Sequence, residues 1–183
     1  MIPPIAALGL HASPRMARPV DFINALDLLT EQHAELDQLF KLIESQRGNR
    51  RAAVIELASK LAAHTTIEEK LFYPCIMAEE TSQLLLESLE EHLAIKRGLA
   101  DMLTVEVDAA ELDGKVSRLR ERVLHHAHEQ EEGKLFPAVR TMMTANELAV
   151  LGNELIVMFE HLMAAEPRKL VPDQTIEAAS LPA

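Results

Sequence analysis

Hydrophobic positions in this chain fall into long stripes with a helical period. Leu26, Leu29, His33, Leu36, Phe40 and Ile43 recur every three or four residues, the spacing that puts side chains on one face of an α-helix. They predict a first helix over roughly 20–46, ending near Gly48. A second helix, roughly 50–78, carries Val54, Leu57, Leu61, His64, Glu68 and Phe72 on one side, and Pro74 should bend or interrupt it. Thr81 and Ser82 supply a cap for a third, roughly 82–107, striped by Leu85, Leu89, His92, Ile95 and Leu99. The fourth, roughly 112–143, holds Val116, Leu119, Val123, Leu124 and Ala127 and also meets a proline, Pro137. Thr144 caps a fifth helix, roughly 145–165, that stops at Pro167. No stretch alternates with the period of a strand. Four long helices with short connections predict an all-α fold, an antiparallel up-and-down four-helix bundle with an additional short C-terminal helix. The bundle is expected over 20–165, between a disordered N-terminal arm at 1–19 and a flexible C-terminal tail at 166–183.

The apolar stripes are interrupted by histidine. His33, His64, His92 and His128 each stand where a leucine would serve the core, one per helix. A single such histidine is ordinarily a hydrogen-bonded core residue. Four ionisable groups in one bundle are another matter, because each costs several kcal/mol to bury unless it is paired or bound to metal. A repeat strengthens the second reading. His64-Thr65-Thr66-Ile67-Glu68-Glu69-Lys70-Leu71-Phe72-Tyr73-Pro74 returns in part as His128-Glu129-Gln130-Glu131-Glu132-Gly133-Lys134-Leu135-Phe136-Pro137. Each copy sets a Glu four residues after its His, and residues i and i+4 share a helix face. Each half of the chain thus reads as a hairpin with one His on its first helix and a His–Glu pair on its second. Together they point to a paired-metal site built from His33, His64, Glu68, His92, His128 and Glu132.

Composition narrows the choice of metal and partner. A net charge of −11 argues against nucleic acid and against an anionic membrane surface. No apolar run approaches the roughly 20 residues that span a bilayer. The single cysteine, Cys75, excludes an internal disulfide framework, fits a reducing cytoplasmic location, and is expected to be a small core residue. Imidazole with carboxylate and no thiolate set points to iron or manganese rather than structural zinc. The Glu-x-x-His spacing of ferritin-like bundles and the His-Glu-x-x-His of zinc proteases are both absent.

These residues resemble the hemerythrin-like, or HHE cation-binding, family. The resemblance lies in Leu29-Thr30-Glu31-Gln32-His33, in His64 to Pro74, in Glu90-Glu91-His92-Leu93-Ala94-Ile95-Lys96, and in Glu131-Glu132-Gly133-Lys134-Leu135-Phe136-Pro137, across about 20–165. It implies a non-haem diiron centre in the bundle, with two iron ions as cofactor. The ligand would be a small molecule, dioxygen, nitric oxide or peroxide, bound or sensed by a protein that is a monomer or homodimer. A peroxide-removing or iron-repair enzyme on the same site is the alternative, and a helical interaction module whose histidines are structural or bind another metal is a second.

The two copies differ in register. His64 precedes Pro74 by ten residues, whereas ten residues before Pro137 lies Ala127, between His126 and His128. Counting from Pro137 makes Glu131 the fourth-helix carboxylate; the His-x-x-x-Glu spacing makes the pair His128 and Glu132. At 100° per residue His128 falls near Leu124, Glu131 and Leu135 while His126 points away, so His128 is expected inside, with Glu132 ahead of Glu131. A local bulge at Gly133 would reconcile the two registers. His125, His126 and His161 are expected at the surface or an interface, Tyr73 in the core, and Glu69 and Glu91 as solvated charges or as partners orienting an imidazole.

Overall fold

In the computed structural model, which describes residues 23–45 and 48–181, the chain is helical throughout and no strand occurs among the described residues. Helix α1, Ala25–Glu44, begins behind Asn24, whose side chain accepts from the Leu26 amide, so an orphan N–H of the first turn is satisfied. Helix α2 begins at Arg50 behind Asn49, which caps Ala52 the same way. It runs as a regular helix over Arg50–Ile67, widens to π geometry over Glu68–Phe72, and closes with the turn Tyr73–Cys75. Helix α3 is Ser82–Leu103. Thr81 does not cap it: its hydroxyl donates back to the Ile76 carbonyl at 2.6 Å and ties the preceding turn together. Helix α4 comprises Glu111–Leu124, a π stretch over His125–Leu135, and Phe136–Met142. Helix α5, Ala145–Ala164, opens with a capping box between Thr144 and Glu147. At 20 residues α5 equals α1 in length and is not short. The expected arm at 1–19 lies outside the described residues.

Proline explains the two π segments. A proline inside a helix removes one N–H and its ring presses on the carbonyl four residues back. Ahead of Pro74 the Tyr73 amide bonds the Glu68 carbonyl, and ahead of Pro137 the Phe136 amide bonds that of Glu131, each five residues back. The ladder widens rather than breaks, and both helices continue past the ring.

Helices α1 to α4 form the antiparallel bundle, and its core has two parts. The lower part contains Leu36, Phe40, Leu57, Leu61, Ile95, Leu99, Leu119 and Val123; the upper contains Leu29, Ile67, Phe72, Leu89, Leu135 and Phe136. Between them lies a layer of buried polar side chains, one level of each helix. Helix α5 packs across α1 and α2 and completes the upper core with Leu148, Leu151 and Leu155.

The expected tail at 166–183 is described through residue 181, and it packs back on the bundle. Glu166, at φ 54°, turns the chain into a 3₁₀ helix, Pro167–Gln174. This segment packs on α2 and α3, buries Val171 in the lower core, and is held by Arg97, which donates to the carbonyls of Thr175 and Ile176. No single helix among the described residues is long and apolar enough to cross a membrane.

Candidate metal centre

The polar layer contains His33 from α1, His64, Glu68 and Tyr73 from α2, His92 from α3, and His126 and Glu131 from α4, all buried. Four expected members, His33, His64, Glu68 and His92, are therefore brought together. The other two are not. The His128 side chain is 52% exposed and its Nδ1 meets Glu132 at 2.9 Å. Glu132 lies outside the layer and reaches His33 Nδ1 at 2.7 Å. His126 and Glu131 take the inward places because α4 is π-helical here: in a ladder with i→i+5 hydrogen bonds, residues five apart share a face. The proline count pointed to Glu131, but His126 cannot be found on a wheel drawn at 100° per residue. Gly133 makes the wide turn possible, since a Cβ there would stand 2.9 Å from the His128 carbonyl oxygen.

The inward atoms form one donor set. His33 Nε2 lies 3.1 Å from Glu131 Oε2, yet neither atom is aligned for a hydrogen bond. Glu68 Oε2 lies 3.3 Å from His64 Nε2 and 3.3 Å from His92 Nε2, and both Glu68 oxygens lack any hydrogen-bond partner. His92 and His126 bring their Nε2 atoms within 2.9 Å, a contact between two lone pairs unless a proton or cation intervenes. Buried polar atoms without partners are rare and costly. Here they converge, as donors around a cation do. One group comprises His33, His64, Glu68 and Glu131, the other Glu68, His92 and His126, with the donor atoms of each group within 4.8 Å of one another. Glu68 belongs to both, which is what a carboxylate bridging two ions requires.

Each imidazole is fixed from behind. His64 Nδ1 meets Gln32 Oε1 at 2.8 Å, His92 Nδ1 meets Glu69 at 3.1 Å, and His126 Nδ1 meets Glu91 at 2.8 Å; Glu132 serves His33. An acceptor on Nδ1 holds the proton there and leaves the Nε2 lone pair facing inward. Tyr73, expected as core, adds a hydroxyl: it donates to Glu131 Oε1 at 2.9 Å and lies 3.2 Å from His92 Nε2.

The charges are mutually adjusted. Burial, reinforced by the negative Glu131, pushes the Glu68 carboxyl well above its usual range. Glu131 moves down despite its burial, because His126 and His33 stabilise its charge. Burial, joined by the neighbouring His33, drives His64 well below an ordinary histidine, and burial with His126 lowers His92. Burial opposes a charge on His33 too, but the close Glu131 carboxylate and the carboxylate of Glu132, hydrogen-bonded to Nδ1, outweigh it and raise its pKa. Burial beside the two carboxylates raises the Tyr73 phenol. The lowered His64 and His92 and the lowered Glu131 are directions that suit a metal ion, which binds deprotonated ligands, whereas Glu68 and His33 would give up protons to it.

Cys75, expected in the core, is exposed. His125 and His161 are exposed as expected, while His126 is buried.

No curated protein sequence matches this chain significantly. Among solved structures, a hemerythrin HHE cation-binding-domain protein from Mycobacterium kansasii superposes with a TM-score of 0.69 at 25% identity, over 81% of this chain and 92% of that one. The sequence profile of the hemerythrin HHE cation binding domain matches residues 24–139, which contain every residue of the polar layer, and the chain belongs to that family.

Proposed function

We propose that the chain holds two iron ions in this layer and binds or senses dioxygen, nitric oxide or peroxide there. The observation that carries the reading is the position of Glu68, unpartnered at both oxygens and 3.3 Å from imidazole Nε2 atoms on two helices. Four imidazoles and two carboxylates without thiolate suit iron better than structural zinc. Bound iron would supply one-electron chemistry toward a diatomic or peroxide ligand. The chain's own part is to orient four Nε2 atoms, to keep both Glu68 oxygens and Glu131 Oε2 free of competing hydrogen bonds, and to exclude water with the apolar clusters above and below.

One observation favours the peroxide-removing alternative. Tyr73 is the only tyrosine in the chain, and its hydroxyl is fully buried at the centre between Glu131 and His92. A positioned O–H there can give a proton to a ligand, which turnover needs and reversible storage does not.

Anaerobic loading with ferrous iron, followed by iron counting and visible spectra after addition of dioxygen, nitric oxide or peroxide, tests the reading. The expected result is two iron ions per chain and a ligand-dependent absorption change. Failure to retain iron, with no such change, would leave the histidines as structural groups of a helical interaction module. Oxygen release on adding peroxide, in proportion to bound iron, would select the enzymatic alternative.

A further inference from the structure

The three carboxylates behind the imidazoles are not alike. Glu132 and Glu91 have side chains 26% and 28% exposed and lie beside the exposed histidines His128 and His125. Glu69 faces an ammonium instead. Lys96 Nζ lies 2.7 and 2.6 Å from its two oxygens, with the side chains of Lys96 and Glu69 only 7% and 8% exposed. A lysine is seldom buried, and a buried ion pair recovers its desolvation cost only when the geometry is good and the remaining lone pairs are used. Here Glu69 Oε1 also meets His92 Nδ1, so the chain Lys96–Glu69–His92 ends at the centre.

The cover over this pair is the C-terminal strap, residues 167–181. Gln174, Glu177, Ala178, Ala179 and Ser180 form one wall of a cavity of about 480 Å³ whose other wall is Glu69, Lys70 and Lys96. Arg97, the neighbour of Lys96, holds the strap by the Thr175 and Ile176 carbonyls at 2.9 and 3.0 Å. Ala178, Ala179 and Leu181 anchor its end on the upper core.

We infer that Lys96 is a positioning residue of the metal centre, acting through Glu69 on His92, and that the C-terminal strap is the part of the fold that keeps this pair covered. The inference rests on the metal reading above. Without Lys96, Glu69 would be a third buried carboxylate, after Glu68 and Glu131, left with no ammonium beside it, a poorer fixed acceptor for the His92 Nδ1 proton. His92 would then lose both its tautomer and its aim. Without the strap, water would enter between Lys96 and Glu69 and weaken their coupling.

Titration of the metal-free full chain with cobalt(II), followed by its visible ligand-field bands, tests this. Replacing the partner behind a metal-bound imidazole ordinarily costs about 10- to 100-fold in affinity. Lys96→Met is expected to weaken cobalt binding by about tenfold, at the lower end of that range, and to shift the bands. Lys96→Arg should restore both, and Arg97→Ala should fall between the wild type and Lys96→Met. Lys60→Met, which removes an ion pair to Glu35 away from the centre, should change neither. If Lys96→Met does not fold, Glu69→Gln carries the same expected band shift. Wild-type affinity and bands in the Lys96→Met or Glu69→Gln protein overturn the inference while leaving the metal reading intact. Equal losses in Lys96→Met and Lys60→Met also overturn it, as a general stability effect. A wild-type chain that takes up no cobalt overturns the metal reading and this inference together.

Discussion

His126 and Glu131, five residues apart on α4, face the same buried layer, whereas their counterparts on α2, His64 and Glu68, are four apart. The extra residue is absorbed by the π stretch His125–Leu135. The two halves of the chain therefore reach similar chemistry through different backbone geometry.

The register is directly testable. His126→Ala should lower iron content by about one ion per chain, because it removes an Nε2 ligand that no neighbour replaces. His128→Ala, on the exposed flank, should leave iron content and spectrum unchanged. Gly133→Ala places a Cβ 2.9 Å from the His128 carbonyl oxygen and should cost roughly 1–3 kcal/mol as overpacking does, with iron content falling along with the wide turn. Iron counting and thermal melts of the three variants decide it; iron loss in His128→Ala but not His126→Ala would restore the four-residue spacing.

Most of this arrangement was legible in the sequence, and the exception has a physical cause. Leucine and histidine stripes at 3.6 spacing locate four helices and, with them, His33, His64, Glu68 and His92. A wheel of fixed pitch then fails at α4, because nothing in a hydrophobic pattern announces a change of pitch. The remaining signals were the count from Pro137, which favoured Glu131, and Gly133 in a segment with no other reason for glycine. The strap failed to show for a different reason. Its hold on the bundle comes from Val171 and from backbone carbonyls accepting from Arg97, and neither leaves a periodic trace.

Glu68 should trade stability for metal. Its folded pKa is raised by burial and then by Glu131, from an ordinary value of 4.5. A raised carboxyl stabilises the fold below the unfolded pKa and loses that contribution as pH climbs through the folded value. Glu68→Gln, which cannot ionise, should therefore give a metal-free protein more stable than wild type, on the order of 1–2 kcal/mol near neutrality. The advantage should grow from pH 5 toward pH 8 and vanish toward pH 4. Thermal melts across that range, with an iron assay showing loss of loading, check both halves.

Tyr73→Phe separates binding from turnover. It removes the hydroxyl and leaves Glu131 Oε1 without its donor at 2.9 Å, a loss of about 1–3 kcal/mol for a buried acceptor in the metal-free protein. Iron loading should persist, since all four imidazoles and both carboxylates remain. Any peroxide decomposition should drop by about 10²-fold or more, the lower range for a positioned proton donor. Unchanged oxygen release would remove Tyr73 from the chemistry.

Asp37 gives the bundle an acid-sensitive clasp away from the centre. Its Oδ1 accepts from Arg120 Nε and Nη2 at 3.1 and 2.8 Å, joining α1 to α4, and its Oδ2 meets Lys41 at 2.6 Å. Slight burial opposes the charge, but Lys41 and Arg120 hold the carboxyl below its ordinary value of 3.8. A lowered carboxylate stabilises the fold above the unfolded pKa and loses that contribution as pH falls through the folded value. Asp37→Asn should cost at most about 1 kcal/mol at pH 7 after solvent screening, or about 2–4 °C in melting temperature. The difference should shrink below pH 4. A constant difference between pH 7 and pH 3 would assign the effect to packing instead.

Gly152 is the point at which α5 is locked onto the bundle. A Cβ there would lie 1.9 Å from the Ile23 carbonyl oxygen and 2.9 Å from the Ala25 amide nitrogen. Both contacts are backbone at the start of α1, so no rotamer change relieves them, and either the α1 N-terminus or α5 must move. Gly152→Ala gains helix propensity worth about 1 kcal/mol in an unconstrained helix, so a neutral site would show stabilisation. The overlap predicts the opposite sign: a net loss of about 3 kcal/mol or more, at the upper end of overpacking costs. Leu148, Leu151 and Leu155 would lift with α5 from the upper core they share with Phe72 and Phe136, while the lower core, which has no α5 residue, would stay closed. Hydrogen exchange should therefore quicken in α5 and the first turn of α1 before it does in the 50–62 segment of α2. A Gly152→Ala protein that melts at or above the wild-type temperature would show that the close approach relaxes freely.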